Sequence, residues 1–170
     1  KLGFKILKVK FPKRYRGNVR VFIGNGKKHG KNASRLILRE KEDIKLLKNL
    51  QKSMEKWKFN KTKQISRLNS KFGPLRAKAF PGRASILLNI LKLSKKNIAS
   101  IHEQIGSPKI GYKAPGTNIP ILSDKLMKVK DKSIPIINLA WHISKEIRFY
   151  LKKNNINNEI IDIISKNDFK

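Results

Sequence analysis

The chain has 170 residues, and its 41 Lys and Arg against 11 Asp and Glu give a formal net charge of +30 at neutral pH. With 39% apolar residues it can bury one modest core, roughly 70% of the surface its unfolded chain exposes, which suits one domain or one domain plus a fragment of another. Zero Cys excludes disulfides, iron–sulfur clusters and thiol nucleophiles, and no two of the three His (His29, His102, His142) stand at an i, i+4 spacing, so no metal site is expected.

No apolar run approaches the roughly 20 residues of a membrane span. Lys also interrupts every would-be signal core of KLGFKILKVKF (1–11). A cytoplasmic protein without a membrane is the expectation, and the missing initiator Met suggests a chain that starts inside a longer one. The charge invites nucleic acid, because many Lys release counterions from a phosphate backbone without reading sequence. Its distribution argues otherwise. Basic residues spread along the whole chain in nothing longer than pairs such as Lys27-Lys28, with no Arg-rich arm and no basic–aromatic interleaving. Solvated Lys on outer faces explains this pattern, with weak nonspecific polyanion binding under either reading, and a basic α/β module that binds nucleic acid or another polyanion nonspecifically is the alternative function.

In chain order, GFKILKVKF (3–11) alternates apolar and Lys residues and predicts a half-buried strand. NVRVFI (18–23) predicts a second, and the short connection between them makes an antiparallel pair. From Ser34 to Asn69 the period becomes helical, through Leu36, Ile44, Leu47, Leu50, Met54, Trp57, Ile65 and Leu68. Ser34 is the candidate N-cap, FNKT (59–62) the candidate kink, and Gly73-Pro74 the stop. Strands and helices then alternate: a weak strand at 75–80, helix 83–93, strand 98–104, an extended piece at 119–122, a short helix at 124–129, the continuous apolar strand IPIINL (134–139), helix 143–153 and strand 159–164. This alternation predicts an α/β fold, a Rossmann-like parallel sheet with flanking helices, after an antiparallel strand pair and a long connector helix.

Three strings carry a resemblance: AFPGRASILLN (79–89), IHEQIGSPKIGYKAPGTNIPILS (101–123) and INLAWHISKEI (137–147). In order and spacing they resemble the C-terminal domain of sugar C-methyltransferases, which use S-adenosylmethionine to methylate a ring carbon of a nucleotide-linked keto-deoxysugar. Arg16-Gly17-Asn18-Val19-Arg20 is similar to a motif of the last strand pair of that family's methyltransferase domain. The resemblance implies three parts: residues 1–30 as the terminal strand pair of an otherwise absent methyltransferase domain, 31–72 as a connector helix, and 73–170 as the Rossmann-like domain. It implies a nucleotide-activated deoxysugar as ligand and an upstream methyltransferase domain as partner. S-adenosylmethionine would serve the full-length enzyme and would not be bound by this chain alone. The zinc-binding region, cofactor fold and catalytic Glu-His stretch would all precede Lys1, leaving no catalytic residue here. The reaction implied is proton abstraction beside the keto group, then attack of the enolate carbon on the sulfonium methyl.

The glycine positions of a Rossmann first turn correspond to Ala77 and Ala79, which leaves only Gly82. Lys78 and Arg83 would then supply the charge for a looser contact to a diphosphate, beside Phe80 and Pro81. Arg83 reads either as an anion contact at a helix start or as an exposed first-turn residue. Glu103 reads either as a ribose-binding carboxylate or as a solvated loop residue. Pro115, Gly116 and Thr117 present amides and a hydroxyl to substrate, or only make a tight turn. Trp141 and His142 end the buried strand where ligands of open sheets sit, Trp141 to stack on a base or line a domain interface, and His142 to reach a phosphate or cap the next helix. Tyr15 and Arg20 are candidate interdomain or substrate contacts.

Overall fold

The computed structural model describes residues 3–12, 18–127 and 131–169, and within the long helix it leaves the side chains of 41–46 and 48 undescribed. The chain divides into two compact units, Lys1–Ser53 and Met54–Lys170. In the first, β1 (Lys5–Lys10) pairs antiparallel with β2 (Arg20–Gly24), with a register shift between Ile6 and Lys8. Helix α1 (Lys31–Phe72) follows and contributes residues to both units.

The helix starts three residues before the predicted cap. Ser34 N–H donates to Gly30 O at 3.0 Å, so Ser34 lies inside the first turn. Tertiary bonds draw the start back: Gly30 N–H donates to Ile6 O, and Asn32 Nδ2 to Val9 O. No break occurs at FNKT, because Trp57, Lys61 and Ile65 lie one turn apart on one buried stripe. Leu47 and Leu50 are exposed, so the predicted apolar stripe is buried only further along. Gly73 ends the helix in a left-handed conformation (φ +73°), its N–H donating to Asn69 O.

The second unit is a parallel sheet of β3 (Leu75–Lys78), β4 (Ile98–Glu103), β5 (Ile121–Ser123), β6 (Ile136–Asn138) and β7 (Ile160–Asp162), in the order β5-β4-β3-β6-β7. Helices α2 (Ala84–Ile90) and α3 (Ser144–Lys153) are the crossovers after β3 and β6. This is the Rossmann-like arrangement, and the strand that looked weakest, Leu75–Lys78, is its centre. Its weakness in sequence came from Arg76 and Lys78, which share one face of the sheet with Ser100 and His102 of β4 and Asn138 of β6. The other face holds the main core: Leu75, Ala77, Ile101 and Ile137 pack with Leu88 of α2 and with Trp57 and Ile65 of α1. A smaller cluster of Met127, Ile136, Ala140, Ile147 and Leu151 packs α3 on the polar face.

The predicted helix at 124–129 is a single 3-10 turn, Asp124–Leu126, and residues 128–130 lie outside the described ones. Among the described residues no helix is long and apolar enough to cross a membrane.

Candidate functional site

Strands β3 and β6 are neighbours, yet the chain leaves them in opposite directions, toward β4 and toward β7. An open α/β sheet binds ligands outside the carboxyl ends of its strands at such a switch point. Leu139 N–H donates to Lys78 O at 3.1 Å and closes the two strand ends together. The segments leaving them are 79–83 on one side and Trp141–Ile143, a 3-10 turn, on the other. Lys78, Phe80, Pro81, Gly82, Arg83, Trp141 and His142 therefore belong to segments that start from one edge.

Around that edge the side chains are tightly committed. Lys78 is 3% exposed; its Nζ lies 2.6 Å from Asp124 Oδ2 and 4.7 Å from the centre of the Tyr150 ring. Tyr150 Oη donates to the same Asp124 oxygen at 2.8 Å. Burial, then the hydrogen bond to Asp124 and its charge, push the Tyr150 phenol up to about 12. Asp124 Oδ1 is buried without a hydrogen-bond partner among the described residues.

Ala79 is left-handed (φ +64°), a conformation a glycine adopts without strain, at a position where a glycine was expected. Phe80 N–H donates to Glu103 Oε1 at 2.6 Å, Lys109 Nζ donates to Phe80 O at 2.5 Å, and Lys109 and Glu103 are 3.7 Å apart. Glu103 thus fastens the end of β4 to the loop after β3. Ala84 N–H donates to Pro81 O and Ser85 Oγ to Gly82 O, so Pro81 and Gly82 form the turn into α2. Arg83 is exposed at the N-cap and makes no side-chain cap bond.

Pro115, Gly116 and Thr117 form a turn held on α2. Thr117 N–H and Oγ1 both donate to Ala114 O, and Asn89 Nδ2 donates to Pro115 O at 3.1 Å. Gly116 has φ +74°, and a Cβ there would lie 2.3 Å from Asn89 Oδ1. Gly116→Ala is therefore expected to cost about 1–2 kcal/mol from the left-handed backbone, plus about 1 kcal/mol for a lost hydrogen bond. Urea unfolding of the variant measures it.

Trp141 and His142 meet edge to face, ring centres 5.6 Å apart, and Trp141 packs on the main core. His142 Nδ1 is buried without a hydrogen-bond partner among the described residues. Arg20 lies exposed on β2, opposite Lys10, and Tyr15 lies outside the described residues.

Sequence reasoning missed several members of this edge. Asp124 directly follows β5, as Asp162 ends β7, and a carboxylate at a strand end is a signal that was legible. Asp162 accepts from Asn138 Nδ2 at 2.6 Å, from Ser144 Oγ at 2.8 Å and from Arg148 at 3.1 Å, and so ties β6, β7 and α3 together.

His102 is 1% exposed on the polar face. Its Nδ1 lies 3.2 Å from Ser123 O, which can only accept, so Nδ1 carries the proton and Nε2 accepts from Ser100 Oγ at 2.9 Å. Burial is the largest effect and pushes His102 below its ordinary 6.5. A depressed folded pKa means the unfolded chain binds the proton first, so stability falls as pH drops below about 6.5 toward the folded value. His102→Gln is expected to flatten that part of the stability–pH curve, measured by urea midpoints between about pH 7 and pH 5.

Comparison with curated proteins gives no significant match. The model of one family, described as the C-methyltransferase C-terminal domain, matches residues 15–161. That span runs from the connection before β2 into β7 and takes in the ends of β3 and β6 with the segments that leave them, so the chain belongs to the C-methyltransferase C-terminal domain family.

Proposed function

We propose that this chain is the C-terminal portion of an S-adenosylmethionine-dependent C-methyltransferase acting on a nucleotide-linked keto-deoxysugar, and that it binds the nucleotide-sugar and leaves methyl transfer to other residues. The observation that carries the reading is the switch point between β3 and β6. The segments leaving it hold the exposed Arg83 on one side and the Trp141–His142 pair on the other. Arg83 is the cation for a diphosphate and Trp141 the surface for a ring, with His142 beside it as a hydrogen-bonding partner. Lys78 adds its charge only through the pair with Asp124. Glu103 acts by holding the Phe80 loop in place. The Pro115–Thr117 turn acts by fixing α2.

The cofactor supplies an electrophilic methyl group when bound to the full enzyme. The first turn of this sheet fits it poorly: Phe80 N–H is donated to Glu103 Oε1, so that amide is not open to a phosphate, and Ala77 and Ala79 stand where glycines would let one approach. That argues for a cofactor site elsewhere. What this chain contributes is orientation, which in favourable cases lowers a barrier by roughly 7–11 kcal/mol. Residues 1–30 we read as the terminal strand pair of a methyltransferase domain, 31–72 as its connector and 73–170 as the sugar-nucleotide domain, in a cytoplasmic enzyme. The exposure of Phe4, Leu7, Phe11, Val19 and Ile23 supports the first assignment, since such apolar surface is normally covered.

A thermal-shift titration tests the proposal, with dTDP- and GDP-deoxysugars, nucleotide diphosphates, S-adenosylmethionine and a short DNA duplex. A ligand at a hundred times its Kd is expected to add about 2.7 kcal/mol. Saturable stabilisation by a nucleotide-sugar that persists in about 200 mM salt, weakened by Arg83→Ala and absent with S-adenosylmethionine, is the expected result. Stabilisation by DNA alone, vanishing in salt, would replace it with a generic polyanion binder.

A further inference from the structure

Positive charge is scarce at the switch point, although the chain as a whole carries so much of it. Of the two cations that sequence reasoning placed there, Lys78 is buried and paired with Asp124, and only Arg83 stays exposed. A sugar-linked diphosphate bears a negative charge on each phosphate, and such groups are held where charged donors converge. Lys109 supplies a second cation. It belongs to the connection between β4 and β5, yet its Nζ crosses to the loop after β3 and donates to Phe80 O at 2.5 Å. Phe80 lies two residues beyond Lys78, whose carbonyl accepts from Leu139 where β3 and β6 end, and three residues before Arg83.

The Lys109 side chain is 44% exposed, against 4% for Lys78, so a ligand can reach it. An ammonium has three N–H donors. One of them is on Phe80 O, while Glu103 Oε1 at 3.7 Å lies beyond hydrogen-bond distance and attracts by charge. Among the described residues Lys109 Nζ has no other partner, which leaves donors open. A loop carbonyl needs a donor but no charge, and the charge is what an anion would use.

Glu103 sets how much of that charge a ligand meets. Its Oε1 accepts from Phe80 N–H at 2.6 Å and its side chain is 14% exposed, so the carboxylate is fixed beside the ammonium and offsets it. A phosphate arriving at Lys109 competes with Glu103 for the same cation. We propose that Lys109 is the second diphosphate-binding cation of the switch point, beside Arg83, and that Glu103 weakens anion binding there by partly neutralising it. The source of the diphosphate, a nucleotide-sugar, rests on the function proposed above; the anion site itself does not.

Calorimetric titration of the full chain with inorganic pyrophosphate, and separately with a dTDP-deoxysugar, tests both statements. Lys109→Gln keeps a donor for Phe80 O and removes the charge, and is expected to weaken both ligands roughly tenfold. Glu103→Gln keeps an acceptor for Phe80 N–H and is expected to strengthen pyrophosphate about threefold, a sign opposite to that of a residue that only holds the loop. Lys109→Arg keeps charge and donors and should bind as the unaltered chain does, which serves even where the Gln variant fails to fold. Lys96→Gln makes the same change of net charge just before β4, at the other end of the sheet, and should leave pyrophosphate binding unchanged. No binding of pyrophosphate, no effect of Lys109→Gln, or an equal loss in Lys96→Gln overturns the proposal. Pyrophosphate binding unchanged or weakened in Glu103→Gln overturns the part given to Glu103. Pyrophosphate binding that depends on Lys109, with none of the dTDP-sugar, sinks the substrate reading alone. Full-strength dTDP-sugar binding by Lys109→Gln sinks the role of Lys109 alone.

Discussion

Asp124→Asn is expected to destabilise the chain by about 3–5 kcal/mol, because it removes one partner of a buried ion pair and leaves the other charged. The Lys78 and Asp124 side chains are 4% and 10% exposed and meet at 2.6 Å. In place of the carboxylate the ammonium meets a neutral amide, beside His102 O at 3.5 Å and the face of the Tyr150 ring. Lys78→Met should cost a similar amount by stranding the carboxylate. The double variant should recover much of the loss, since a buried pair replaced as a whole is close to neutral. Tyr150 supplies an independent readout. Its phenol, pushed up to about 12 by burial and then by Asp124, should titrate closer to its ordinary 10.0 in Asp124→Asn. Absorbance titration follows the phenol, and urea unfolding of the four proteins gives the cycle. A strictly additive cycle would show that the two side chains do not depend on one another.

Trp57→Ala should cost about 3–5 kcal/mol, as truncations of large buried aromatics do. Trp57 is 2% exposed, packs in the main core and donates Nε1–H to Ile163 O at 3.1 Å, which secures helix α1 to the chain just after β7. Trp57→Phe separates the two contributions: most of the apolar contact survives, but the Ile163 carbonyl loses its donor, at about 1–3 kcal/mol. Urea midpoints of both variants decide it. Equal losses would mean that the hydrogen bond outweighs the ring volume.

The elements were legible in the sequence because each followed a local rule. Alternating Lys and apolar residues gave β1, and a continuous apolar run gave β6, whose residues are fully buried. Gly73-Pro74 marked the end of α1. Motif order in 79–147 carried the family resemblance, which the family match over 15–161 bears out. Where local rules failed, a distant contact had taken over. Ser34 looked like a cap because a hydroxyl before an apolar stripe usually is one, but Gly30 and Asn32 bond to β1 and start the helix earlier.

By itself, then, the sequence determined the α/β class, the order of strands and helices and the family, because periodicity, turn residues and motif spacing are properties of neighbours along the chain. Only the tertiary structure decided which strand is central, how Lys78 is neutralised, and where α1 starts. Each depends on a partner from 23 to 60 positions away, as with Val9 and Asn32, Lys78 and Asp124, or β3 and β6. The cost of burying a charge or leaving a backbone group unpaired is settled by that partner, and local pattern carries no trace of it.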